Sequence, residues 1–237
     1  MFQNYFLIEV PSLECPPYLA ALKGHTSTVE LFLRKGALIS AISRNGNTLL
    51  HVAARGGYTN TVELLLKVGA LIQPANQYAN TPLRYILHLV IQGGHTGTLE
   101  LLLGQGASIE TINKDGCTAL HLAASRGYPG TVELLLRQGA SIEAINKDGC
   151  TALHLAALEG HTNIMKLLLK KGASIEAMNK DNNTPLHVAA HFGQTKAVEL
   201  LLWKGASPEA IHCTTLPETI TLAKVINKHG NTPPHIY

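Results

Sequence analysis

Residues 117–149 read CTALHLAASRGYPGTVELLLRQGASIEAINKDG, residues 150–182 read CTALHLAALEGHTNIMKLLLKKGASIEAMNKDN, and residues 183–212 read NTPLHVAAHFGQTKAVELLLWKGASPEAIH. These strings align without a gap at a period of 33 residues, marked by Thr118, Thr151 and Thr184. Upstream, Thr48 and Thr81 are again 33 apart, and Cys15 stands one further period before Thr48. Self-similarity at such a period means copies of one supersecondary unit, each touching only its neighbours.

The physics of one unit follows from the copy at Cys117. Thr118 begins a short helix in which Ala123 and Ala124 allow a neighbouring helix to approach closely, and Gly127 ends it. Val132, Leu135 and Leu136 then give a second, amphipathic helix that Gly139 stops. From Ser141 the chain must reverse in a long turn before the next Thr. No single unit can bury its apolar face, so stacking has to supply the core. The Leu triplets, Leu64 to Leu66 and Leu134 to Leu136, are expected in that core rather than around a cofactor.

The recurring T48-LLHVAARGG, T81-PL, T118-ALHLAASRG, T151-ALHLAALEG and T184-PLHVAAHFG strings resemble the ankyrin repeat, a family known by a T-P-L-H-x-A motif at a period of 33. The resemblance implies an all-α solenoid of stacked helix-turn-helix units joined by hairpin loops, L-shaped, with a concave face. It divides a single domain, 1–237, into an N-terminal segment 1–9, a degenerate capping repeat 10–42, repeats 43–75, 76–112, 113–145, 146–178 and 179–211, an insertion 212–226 and a truncated repeat or cap 227–237. His51, His121, His154 and His187 recur with the motif, and the family uses this imidazole to bond turn backbone and tie neighbouring repeats, a role that suits a buried polar group. That reading displaces a metal site.

Composition narrows the function classes. Only 15% of residues are charged and the net charge is +3, with Lys and Arg scattered, so neither a phosphate-tracking stripe nor a polybasic membrane patch is indicated. The first residues, MFQNYFLIEVPSLECPP, lack a basic start and are broken by Glu9 and Pro11, unlike a secretory leader. No apolar run reaches the 18 or so residues of a spanning helix. Cys15, Cys117, Cys150 and Cys213 have no CxxC spacing. Cys117 and Cys150 hold equivalent positions in successive repeats, about 10 Å apart by analogy with packed helices, too far for a disulfide. A reducing, cytosolic-type compartment is expected, the nucleus or a host cytosol being compatible with the same chemistry. There is no HExxH, GxSxG or phosphate loop, so neither catalysis nor a cofactor is expected.

Departures from the period are informative because stacking alone does not explain them. The first unit reads CPPYLAALKGH, with Pro17 for Leu and Tyr18 for His, as suits a capping repeat. In the third, RYIL adds four residues and about one helical turn, while Val90 and Ile91 replace the Ala pair and should splay the helix. After the sixth, HCTTLPETITLAKVI precedes a restart at Thr232 that stops at Tyr237, as in a fragment or a reduced cap; a helix within 217–226 is expected to cover Trp203, which stands where Arg34, Lys67, Arg137 and Lys170 stand in other repeats. Glu110, Glu143, Glu176 and Glu209 hold a position where ankyrin proteins commonly carry an Asn that is hydroxylated, so the resemblance implies a poor substrate for that modification.

Ankyrin proteins usually bind partners on the concave face, made of hairpin tips and the exposed side of the first helix. The tips here are Arg44 and Asn45, Gln77 and Tyr78, Lys114 and Asp115, Lys147 and Asp148, and Lys180 and Asp181. The helix positions after the Ala pair are Arg55, Gln92, Ser125 with Arg126, Leu158 with Glu159, and His191 with Phe192. Tyr78, Leu158 and Phe192 are the expected anchors, since aromatic and apolar groups dominate interface hot spots. The expected function is a monomeric, non-catalytic module that binds a protein or peptide. Its alternative is a substrate-selecting adaptor or host-directed effector whose recruiting or catalytic segment lies outside this chain.

Overall fold

The structure, a computed structural model, describes residues 15–40, 43, 47–70, 90–91 and 93–208. Among the described residues the architecture is helical, and the chain falls into two compact units, Met1–Ala107 and Ser108–Tyr237. Unit 1 contains α1 (Pro16–Leu22), α2 (Thr26–Arg34), α3 (Leu49–Arg55), α4 (Thr59–Lys67) and α5 (Thr96–Gly104). Unit 2 contains α6 (Ala119–Arg126), α7 (Pro129–Arg137), α8 (Ala152–Leu158), α9 (Thr162–Lys170), α10 (Pro185–His191) and α11 (Thr195–Trp203).

Each first helix starts one residue later than the motif's Thr, because that Thr is the N-cap. In α6, Thr118 is extended (φ −77°, ψ 173°) and its hydroxyl accepts from the His121 N–H, while His121 Nδ1 accepts from the Thr118 N–H at 3.2 Å. Two of the donors that any helix leaves orphaned are thereby satisfied reciprocally. Thr48 with His51, Thr151 with His154 and Thr184 with His187 form the same box. Since Nδ1 accepts, the ring proton sits on Nε2. From there His121 donates to the Cys150 carbonyl at 2.8 Å and His154 to the Asn183 carbonyl at 3.0 Å, both in the following repeat. For His121 and His154 the family's expected use of the imidazole therefore holds. Where Cys15 replaces Thr and Tyr18 replaces His, α1 begins without a side-chain cap.

Packing follows the period. First helices stack on first helices (α1 on α3, α6 on α8, α8 on α10) and second on second (α2 on α4, α4 on α5, α7 on α9, α9 on α11). Ala53, Ala54, Ala123, Ala124, Ala156, Ala157 and Ala189 are fully buried between first helices, as their small size predicts. Val90 and Ile91, expected to splay that helix, are also fully buried; the added residues 84–87 lie outside the described ones. The Leu triplets are only partly core: Leu65 is buried between half-exposed Leu64 and Leu66, and Leu134 and Leu135 are buried whereas Leu136 is not. Consecutive positions cannot all face inward on a helix at 3.6 residues per turn. Unit 1 adds hydroxyl pairs between second helices, Thr26 to Thr61 at 2.7 Å and Thr59 to Thr98 at 2.9 Å.

Side chains at the start of second helices tie repeats a second time. His161 Nε2 donates to the Ser125 carbonyl at 3.1 Å and Gln194 Nε2 to the Leu158 carbonyl at 2.9 Å, satisfying the exposed C-termini of the preceding first helices. The glutamates are a third tie. Glu110, Glu143 and Glu176 accept from the backbone N–H of Ser141, Ser174 and Ser207 at 2.7–2.8 Å, each 31 residues on. Glu209, the insertion 212–226, the restart at Thr232 and the N-terminal segment 1–9 lie outside the described residues. Trp203 is half-exposed, with the Lys204 ammonium 4.3 Å from its ring centroid.

Burial holds the capping histidines neutral: it lowers His51 from the ordinary 6.5 to about 4, and it also lowers His121, His154 and His187. A protonated Nδ1 would, in addition, point a hydrogen at the Thr N–H it must accept from. As pH falls the unfolded chain takes up protons first, so this stability is complete above the unfolded value of about 6.5 and is lost progressively below it. Thermal unfolding followed by circular dichroism should give a lower midpoint at pH 5.5 than at pH 7.5. An H121Q/H154Q variant should be less stable at pH 7.5 yet lose less between the two pH values; an equal loss would refute the assignment.

Gly139 and Gly149 both have positive φ, 89° and 76°, but a Cβ on Gly139 meets nothing whereas one on Gly149 would lie 2.8 Å from the Lys180 backbone nitrogen. G139A should therefore cost only the left-handed strain, about 1 kcal/mol. G149A should cost at least ~1 kcal/mol more, because it also displaces a backbone hydrogen bond to the next repeat. Urea titrations of the two variants measure the difference directly.

Candidate protein-binding face

The hairpin tips of unit 2 are built around an asparagine. Asn146, buried, accepts through Oδ1 from the N–H groups of Asp148 and Cys150 at 2.9 Å each, and its own N–H donates to the Cys150 carbonyl at 3.0 Å. Asn113 and Asn179 close their turns in the same way. Its remaining amide group reaches back to the Cys117 sulfur at 3.7 Å, as Asn179 does to Cys150. Burial raises both thiols above their ordinary value, and Cys15, Cys117 and Cys150 form no disulfide. Cys117 and Cys150 are structural acceptors with little thiolate character.

Successive tips are joined main chain to main chain. The Lys147 N–H donates to the Asp115 carbonyl and the Lys180 N–H to the Asp148 carbonyl, both at 3.0 Å. The left-handed residue that completes each turn is Gly116, Gly149 and, in the third copy, Asn182 at φ 60°. Asn is the side chain that tolerates this conformation best after glycine. The tips thus form one continuous ridge held by main-chain bonds, while the side chains of Lys114, Asp115, Lys147, Asp148, Lys180 and Asp181 are all exposed. No ion pair among the described residues engages them.

The exits of the first helices lie at positions two residues wide. Ser125 and Leu158 are half-buried beneath the side chains that bond their carbonyls, whereas Arg126, Glu159, His191 and Phe192 are exposed. Phe192 is 54% exposed and stands edge-on to His191, ring centroids 4.9 Å apart. Of the expected anchors, Phe192 is fully available and Leu158 only in part. In unit 1, Arg55 is exposed; Arg44, Asn45, Gln77, Tyr78 and Gln92 lie outside the described residues.

Sequence reasoning overlooked one set of exposed residues. Ile112, Ile145 and Met178, two positions before each Lys of the tips, are 47%, 62% and 62% exposed. Their 33-residue recurrence was visible, but an apolar residue on a repeating pattern reads as core unless the turn geometry is known. Among the described residues no three His, Cys, Asp or Glu come together to hold a metal, and no helix is long and apolar enough to cross a membrane.

Comparison with known proteins agrees with this architecture. No curated protein matches the chain. Among solved structures, the human ASB11 ankyrin repeat domain is similar over 92% of this chain and 89% of its own, with 24% identity and a TM-score of 0.71, which bears on fold alone. The family model described as ankyrin repeats in three copies matches residues 8–76, 68–146 and 130–212. With that pattern across most of its length, and with the Thr–His box closing the helices, the chain belongs to the ankyrin-repeat family.

Proposed function

We propose that this chain is a monomeric protein-binding module, and that the hairpin tips and first-helix exits of unit 2 form part of a concave partner-binding face. Ankyrin repeats are generally protein–protein interaction modules, and the fold is typically non-catalytic. The observation that carries the reading here is the division of labour along the tips. The asparagine side chains close their own turns and the Lys147 and Lys180 N–H groups bond the preceding repeat, whereas Lys114, Asp115, Lys147, Asp148, Lys180 and Asp181 project side chains outward without hydrogen-bond or ion-pair partners among the described residues. A rigid surface loses little entropy on binding, which favours affinity. Arg126, Glu159, His191 and Phe192 of unit 2 supply mixed charge and one aromatic anchor.

The mixed signs argue against a polyanion. The tips alternate Lys with Asp, so a phosphate backbone laid along them gains from one row what it loses to the next. The test is affinity capture from lysate with quantitative mass spectrometry, comparing the natural chain with an R126E/E159R/F192S variant of unchanged circular dichroism. A protein partner retained by the former should be depleted about tenfold or more by the variant, as for loss of a hot-spot anchor. Identical capture by both would place the binding surface elsewhere. Recovery of nucleic acid with a steep salt dependence would replace the proposal altogether.

A further inference from the structure

Ile112, Ile145 and Met178 form a ladder in unit 2, one per repeat, each 33 residues from the next. Their exposures, 47%, 62% and 62%, are high for side chains of this size. Scattered exposed apolar residues need no explanation. Three at one register, on a ridge whose adjacent turns are bonded to one another, are not scattered. Nor does the turn require them: its closing bonds are made by Asn113, Asn146 and Asn179 and by backbone groups on either side. A polar residue would serve folding equally well. The backbone offers a second observation. Among the described residues no acceptor takes the N–H of Ile112, Ile145 or Met178, so each step pairs an exposed apolar side chain with an open donor.

We infer that this ladder receives an extended, near-neutral segment of a partner protein that carries an apolar side chain at every third residue. The inference rests on the protein-binding reading above and specifies what that partner presents. The spacing comes from the stack: neighbouring repeats are about 10 Å apart by helix-packing distance. Three residues of a polyproline-type chain cover about 9 Å and return the side chain to the same face, whereas a β-strand covers about 10 Å but turns every third side chain to the opposite face. A helical segment advances only about 4.5 Å over three residues and cannot keep step with the ladder. The charge requirement comes from the flanks. Lys114, Lys147 and Lys180 make one row beside the ladder and Asp115, Asp148 and Asp181 the next, none of them in an ion pair among the described residues. A segment of uniform sign is attracted to one row and repelled by the other. A segment with both signs, or neither, between its apolar residues complements both rows. The open N–H groups then donate hydrogen bonds to carbonyls of the extended chain, which has carbonyls to spare because it makes no bonds of its own.

The probe is a random 16-residue peptide library displayed on phage and selected on the full chain, with the consensus synthesised as a fluorescent peptide for anisotropy titration. Selected sequences should show apolar residues three apart and little net charge. I145K should weaken the consensus peptide roughly tenfold, and I112K/I145K/M178K should abolish measurable binding. I112S/I145S/M178S provides the same comparison should the lysines lower the melting temperature. No selected peptide, selected peptides without the three-residue spacing, or peptides that bind the ladder variants undiminished would each overturn the inference. A dimer by light scattering that the ladder variant converts to monomer would overturn it in favour of a second copy of this chain. The captured partner separates the two readings. Loss with R126E/E159R/F192S but retention by the ladder variant leaves the protein-binding face standing and removes the ladder from it, whereas retention by both variants removes both.

Discussion

The reciprocal bond between a threonine and a histidine three residues later sets the rest of this structure in place. It turns the chain from the extended hairpin into the first helix by satisfying donors that would otherwise be stranded at a buried helix start. Because Nδ1 is used up as an acceptor there, Nε2 must carry the proton, and the imidazole becomes a donor aimed at the next repeat. One neutral ring thus performs a local task and a long-range one. The apolar packing around it would tolerate many substitutions of similar volume. The ring would not, since no other side chain offers an acceptor and a donor on opposite sides of a flat, fully buried body.

Much of this was legible in residues 117–212, because a period of 33 exposes any position on which stacking depends. The alanine pairs and the helix-ending glycine at Gly127 could be read from recurrence, and the tie made by the motif's histidine from the resemblance that the recurrence revealed. What recurrence cannot convey is direction. Leu134, Leu135 and Leu136 recur equally, yet only geometry separates the two buried ones from the third. Ile112, Ile145 and Met178 show the opposite case, an apolar type at a repeating position that points to water. The glutamates at 110, 143 and 176 were seen as departures from a family preference, while their bond to a serine N–H 31 residues on has no local signature at all.

The site was less legible than the fold for a related reason. Positions that hold repeats together must repeat, whereas positions that meet a partner are free to vary, so Arg126, Glu159 and Phe192 share a place but no chemistry. Their assignment rests on where the helix exits face. Ser125 and Leu158 show how narrow that margin is: each immediately precedes an exposed residue and is itself half-covered by a side chain bonding its carbonyl. An interaction face on such a scaffold is only as wide as the stitches beneath it allow.

The stitches share a further property. Every tie between successive repeats of unit 2, whether from His121 to Cys150, Glu110 to Ser141 or Lys147 to Asp115, takes one half from a position in one copy and the other half from a different position in the next. Each copy therefore carries both halves, a socket toward one neighbour and a plug toward the other. A segment of DNA encoding one full period could be duplicated in tandem, or deleted, and the joint left behind would be chemically the same as those already present. The close similarity of residues 117–149 and 150–182, identical at 21 of 33 positions, is what such a history would leave, and it makes the length of the solenoid, unlike its internal bonding, something that evolution can change in a single step.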